Sequence, residues 1–130
     1  MQIADITVKK ADGTTDVVYT AITGAAGDGA PAIWHGQSQG STVATHPKLE
    51  VRSAWNGPKT ARRVSHKFEF PVELSKDGIV TVTDKVIGEG SILVPQNLAE
   101  ANIKERVYQY TNLLAAALIK EAMASGFAPR

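Results

Sequence analysis

"RRVSHKFEFPVEL", residues 62–74, decides how this chain reads. As a strand it places Val64, His66, Phe68 and Phe70 on one side. Arg63, Ser65, Lys67 and Glu69 fall on the other, because successive side chains point to opposite faces. The first side requires a core. The second is polar and cationic, and its purpose has to be read from the segments around it.

Both neighbouring segments repeat the pattern. "PKLEVRSAW", residues 47–55, sets Leu49 and Val51 against Lys48, Glu50 and Arg52, and Asn56-Gly57-Pro58 then breaks the chain. Downstream, Lys76-Asp77-Gly78 makes a tight turn into "IVTVTDKVIGEGSILVP", residues 79–95, which reads as one long strand. Val80, Val82, Val86, Ile92 and Val94 share one face; Thr81, Thr83, Lys85, Glu89 and Ser91 share the other. Gly88 and Gly90 fall on the apolar face. Glycine weakens a strand interior, so they predict a bulge or, the favoured reading, close packing by a helix.

Upstream, "IADITVKK" and "DVVYTAI" form a hairpin with Asp12-Gly13 at its turn. "TGAAGDGAP", residues 23–31, is loop; "AIWH" is a short strand; "GQSQGST" is loop again. The last quarter changes period. Ile103, Val107, Tyr110, Leu114, Ala117 and Leu118 recur at helical spacing. Asn97 fits a cap with Glu100 three residues on, and Gly126 fits a stop. An unbroken helix of about 28 residues spans about 42 Å, against a radius of gyration of about 14 Å for a domain of this size. The helix therefore kinks, near Ala115–Leu118, or reaches beyond its own subunit. "LLAAALI", residues 113–119, is apolar nearly all round, and an identical subunit is the simplest source of a second surface to cover it.

These segments predict an α+β domain over residues 1–130: an N-terminal hairpin (1–22), a main antiparallel sheet (30–95) and a helical tail (97–126) on one face. The other face is broad and polar, and nothing in the chain remains to cover it. The length of 130 residues fits one domain, and 43% hydrophobic with 21% charged residues is ordinary for a globular protein. No apolar run is long enough to span a bilayer, and "MQIADITVKK" does not read as a signal peptide. The chain has no cysteine, which removes disulfides and thiolate metal sites and makes the cytoplasm the default compartment.

The net charge of +1 is unevenly spread. Residues 46–67 hold six bases against one acid, or +5, and the remainder eight bases against twelve acids, or −4. A basic segment in an otherwise acidic chain points to a polyanion partner, or to a solvated hairpin with long cationic side chains. Catalytic signals are absent. His35, His46 and His66 lie in separate segments without metal-ligand spacing, and His66 reads as a core histidine beside Phe68. "GEGS" at 88–91 sits inside a strand and lacks the phosphate-loop pattern. No cofactor or metal is expected, and the chain does not read as an enzyme.

The order of these segments resembles the coat proteins of single-stranded RNA bacteriophages, the levivirus-like group, over nearly the whole chain. The resemblance is carried by the hairpin at Asp12-Gly13, "AIWH" with its Ser/Gln/Gly loop, and the paired "KLEVRSAW" and "RRVSHKFEFPV". The long strand ending "SILVP" and the tail "AEANIKERVYQYTNLLAAALIKEAMASGF" complete it. It implies an interlocked homodimer whose sheets join edge to edge and whose helices cross onto the partner's sheet. Val107, Tyr110, Leu114 and Leu118, with Gly88 and Gly90, then form the dimer interface. It further implies a closed icosahedral shell, assembled in a host bacterial cytoplasm, with the bare sheet facing packaged RNA. In such proteins the sheet commonly binds one genome hairpin and so represses replicase translation. Contacts at the shell's symmetry axes, made by "VELSKDGIV", must be noncovalent.

Carried over residue by residue, the resemblance puts Ser65 and Lys67 on the RNA side, with His46, Lys48, Glu50 and Arg52 on the preceding strand. Arg62 and Arg63 follow the turn as basic contacts. Lys85, Ile87 and Glu89 fall where the family places a stacking aromatic and a polar base contact. Ile87 cannot stack as a tyrosine would, and Glu89 repels phosphate unless it accepts from a base amino group. Two alternatives stand beside the shell: a dimeric cytoplasmic RNA-binding module that does not assemble, and a small α+β enzyme using the sheet's concavity.

Overall fold

Local turn chemistry sets the strand order. The computed structural model describes residues 1–130, which divide into two units, Met1–Val94 and Pro95–Arg130. The first unit is a six-stranded sheet whose strands neighbour one another in chain order: β1 (Ile6–Lys9), β2 (Asp16–Thr23), β3 (Ala32–His35), β4 (Lys48–Trp55), β5 (Ala61–Lys76) and β6 (Ile79–Pro95). Each link is a short antiparallel connection, so no crossover helix is needed.

The first turn is closed by Asp12, which accepts from the Thr14 and Thr15 amides at 2.9 Å and from Thr15 Oγ1 at 2.5 Å. At the β4–β5 turn, Asn56 Oδ1 accepts from the amides of Thr60 and Ala61, and Lys59 adopts a φ of 58°. At the β5–β6 turn, Asp77 and Gly78 have φ of 53° and 77°. Two consecutive left-handed residues make the turn that matches strand twist in a two-residue hairpin.

Register then fixes the faces. β3 pairs with β4 as Trp34 opposite Leu49 and His35 opposite Lys48. β4 pairs with β5 as Lys48 opposite Glu69, Glu50 opposite Lys67 and Arg52 opposite Ser65. A shift between Ala21 and Thr23 marks a bulge where β2 meets β3. On the apolar face, the Tyr19 and Phe68 rings lie 6.3 Å apart, and those of Phe68 and Phe70 6.1 Å apart. Trp34 Nε1 donates to the Ala4 carbonyl at 2.8 Å, tying the N-terminal segment to the sheet. Beyond Glu69, β5 has no strand partner except β6. That two-stranded extension exposes Val72, Leu74, Ile79 and Val82.

Within the sheet, a neighbouring side chain accounts for Gly90 of β6. A Cβ on Gly90 would lie 2.8 Å from Cε1 of His66, so the absence of a side chain there admits the imidazole of the adjacent strand. A Cβ on Gly88 would meet Phe68 Cβ at 3.7 Å, an ordinary contact.

The second unit holds α1 (Glu100–Leu114) and α2 (Ala117–Ser125). The expected start at Asn97 is corrected: the cap is Ala99, which offers no side-chain acceptor. Its carbonyl instead receives the amides of Asn102 and Ile103. The kink expected between Ala115 and Leu118 is a break, with Ala116 extended at ψ 144°. Alanine is the best helix former, so propensity does not place this break. A local contributor is Thr111, whose Oγ1 donates to the carbonyls of Val107 and Tyr108; such back-bonding bends helices. Gly126 ends α2 as expected, at φ 80° with its amide on the Ala122 carbonyl. No residue of either helix is buried, and Leu113, Leu118, Met123 and Phe127 are exposed.

Candidate nucleic-acid interface

Strand alternation and register together build the polar face. β4 contributes Lys48, Glu50 and Arg52; β5 contributes Arg63, Ser65, Lys67 and Glu69; β6 contributes Lys85, Ile87, Glu89 and Ser91. Contacts within and between strands confirm that the side chains share one surface. Lys67 Nζ lies 3.0 Å from Glu69 and 3.9 Å from Glu89. Lys85 Nζ lies 3.7 Å from Glu69. Arg63 Nη1 donates to Ser91 Oγ at 3.1 Å. Arg52 donates to Glu50 on its own strand at 3.1 Å. An open cleft of about 650 Å³ lies among Glu50, Arg52, Ser65, Lys67, Glu89 and Ser91.

The electrostatics are mixed. Hydrogen bonding to Glu69 raises the Lys67 pKa, and the charges of Glu69, Glu89 and Glu50 add to it. Reciprocally, Lys67 and then Lys85 lower the pKa of Glu69. Five cations on this face (Lys48, Arg52, Arg63, Lys67, Lys85) meet three carboxylates (Glu50, Glu69, Glu89), a net of +2. The +5 of the basic segment is therefore not presented as one patch. Alternation and pairing disperse it across both faces.

Arg62 accounts for much of that dispersal. It pairs opposite Trp55, on the face that carries Val64. Its guanidinium donates to both oxygens of Asp28, at 2.8 and 2.9 Å, and lies 4.9 Å from the Trp55 ring centroid. The Asp28 bond raises the Arg62 pKa and lowers that of Asp28. Arg62 thus fastens the 24–31 loop to the β4–β5 hairpin, and the structure does not bring it to the polar face.

His46 lies outside the strands, at the end of a single 3₁₀ turn (Val43–Thr45), with a buried Nδ1 that has no hydrogen-bond partner. Sequence separation hides its proximity to His35. Burial, then the charges of Lys48 and His46, lower the His35 pKa. Glu73 carries no signal in the sequence. It accepts from the Ser41 amide at 2.7 Å and from Ser41 Oγ at 3.2 Å, which anchors the 36–46 loop. Among the residues expected at a subunit contact, Val107 and Leu114 are half-buried within the helical unit, while Tyr110 and Leu118 are exposed.

No protein-family model matches the sequence, and no curated protein does. Solved structures do match. A virus-like particle of bacteriophage NT-214 aligns over 100% of both chains with a TM-score of 0.82 at 16% identity. The chain has the bacteriophage coat-protein fold. A virus-like particle of Beihai levi-like virus 21 aligns over 100% of this chain and 98% of its own, with a TM-score of 0.79 at 18% identity. A bacteriophage GA protein capsid aligns over 96% and 95%, with a TM-score of 0.75 at 17% identity. At these identities the coat-protein fold is retained while most side chains differ, so the chemistry of the polar face belongs to this chain.

Proposed function

We propose that the chain is a bacteriophage coat protein that dimerises, assembles into an icosahedral shell and holds single-stranded RNA against the polar face of its sheet. The observation that carries this reading is the end-to-end match to virus-like particle proteins, helical tail included. Three features of the chain support it. β6 is a 17-residue strand at the sheet's edge, and a long open edge invites pairing with another chain. Two copies of β6, meeting edge to edge near Gly88 and Gly90, satisfy it. A 36-residue helical unit with no buried residue has no core of its own, and Val107, Tyr110, Leu114 and Leu118 acquire one from a second copy. The β5–β6 extension is an isolated hairpin of a kind that is marginal in water, and its exposed Val72, Leu74 and Ile79 suit contacts between dimers.

The polar face supplies the RNA partner's requirements. Arg63, Lys67, Lys85, Lys48 and Arg52 contribute phosphate contacts, Ser65 and Glu89 base contacts, and Ile87 an apolar contact without stacking. Each subunit carries only a small excess of cations, but repetition over a closed shell sums them, and counterion release makes the binding salt-dependent. Electron microscopy of the purified chain, expressed without other phage proteins, tests the reading. Nuclease-protected shells are expected. Dimers that bind RNA yet never assemble would establish the non-assembling module instead, and a monomer without RNA would refute both.

A further inference from the structure

Resting on the RNA-binding reading, we propose that the cleft on the polar face is a base site selective for guanine, with Glu89 as the residue that sets the selectivity. The three carboxylates of this face differ in commitment. Glu69 is engaged by Lys67 at 3.0 Å and approached by Lys85 at 3.7 Å. Glu50 accepts from Arg52 at 3.1 Å. Glu89 is 65% exposed, its nearest cation is Lys67 Nζ at 3.9 Å, and its side chain accepts no hydrogen bond. It is an acceptor with open lone pairs at the rim of a cleft about 650 Å³ in volume, placed where a phosphate would be repelled.

The chemistry of the four bases then discriminates. A carboxylate presents two parallel acceptors. Guanine alone carries two adjacent donors on its Watson–Crick edge, N1–H and the 2-amino group, and so pairs with both oxygens. Adenine and cytosine each pair one amino group with a neighbouring ring acceptor that the carboxylate repels. Uracil flanks its single N–H with two carbonyl oxygens. The ammonium of Lys67 beside Glu89 completes the match, since guanine O6 accepts next to N1–H. Single-stranded RNA exposes these edges, and reading them there needs no helix groove. Ser65 and Ser91 give the cleft hydroxyls that serve a ribose or a base equally and add no selectivity.

The test uses the dimeric protein and an RNA hairpin whose loop is all uridine except one position, filled by guanosine, inosine, adenosine or uridine. Inosine lacks only the 2-amino group. Guanosine is expected to bind about tenfold more tightly than inosine, the cost of one charge-assisted hydrogen bond, and more tightly still than adenosine. Glu89→Gln, which leaves one acceptor oxygen where the carboxylate has two, is expected to abolish the guanosine–inosine difference. Equal binding of all four loops overturns this proposal and leaves the RNA-binding reading standing. A guanosine preference that survives Glu89→Gln overturns the assignment to Glu89. Failure to bind any hairpin removes the RNA-binding reading and this proposal together.

Discussion

Replacing Leu118 by alanine isolates the helical tail's need for a second copy. Leu118 lies in α2 and is 61% exposed. Burying a leucine side chain fully is worth about 1.5–3 kcal/mol. The portion still exposed, roughly three fifths, is therefore worth about 1–2 kcal/mol per subunit once covered. A symmetric dimer covers two copies, so Leu118→Ala removes about 2–4 kcal/mol, or a factor of roughly 30 to 700 in the dimer dissociation constant. Sedimentation equilibrium over a wide concentration range measures that constant, with circular dichroism confirming retained secondary structure. Lys120→Ala, an exposed polar position on the same helix, serves as the control and is expected to leave the constant within a few-fold. An unchanged dissociation constant for Leu118→Ala would refute the argument that this apolar surface is covered by another copy.

Arg63→Ala with Lys67→Ala is expected to lower the RNA content of purified particles, read by the ratio of absorbance at 260 and 280 nm, while dimers persist. Loss of dimers would make these side chains structural. Gly90→Ala forces the His66 imidazole to move, because the new Cβ would lie 2.8 Å from it, but the clash is with the far end of a side chain. Alanine is favoured over glycine in a strand by about 0.5–1 kcal/mol, so the melting temperature is expected to stay within a few degrees of the parent's. A larger fall would show that the ring is locked in place. Asp12 is held at a pKa of about 2, chiefly by the Thr15 hydroxyl and the Thr15 and Thr14 amides. Because the folded value is depressed, the turn's stabilisation is complete above the unfolded value near 4 and is lost as pH falls towards 2. Amide exchange at Thr14 and Thr15 is expected to show pH-independent protection above that window and progressive opening within it. Asp12→Ala should open the same amides at every pH.

Period and turn residues made most of the fold legible. The alternation of residues 48–55, 62–69 and 79–95 names the two faces correctly, because register errors would send whole hydrophobic sets to the wrong side. Asp12-Gly13 and Asp77-Gly78 mark their turns through backbone chemistry that few other residues satisfy. The helical tail was legible from its period, and the apolar completeness of residues 113–119 pointed to a break or a partner. Where local signals compete, the pattern is insufficient. Asn97 offered a cap that the chain does not use. At Gly90 the period gives the face but not the neighbour, which is the His66 imidazole of the adjacent strand.

What the sequence alone determined is therefore the pattern: which residues alternate, where the chain turns, and that its apolar surface exceeds what one sheet can cover. Those properties follow from neighbours a few residues apart. Only the tertiary structure decided which charges meet. Asp28 and Arg62 are 34 residues apart yet form a bidentate pair that takes Arg62 off the polar face. Ser41 and Glu73, 32 apart, anchor a loop. Lys67 finds Glu89 across β5 and β6, and Glu69 holds both Lys67 and Lys85. Electrostatic interaction falls off with distance in space and not along the chain, so a segment that counts as strongly basic becomes, once folded, a nearly balanced surface with one loosely paired carboxylate.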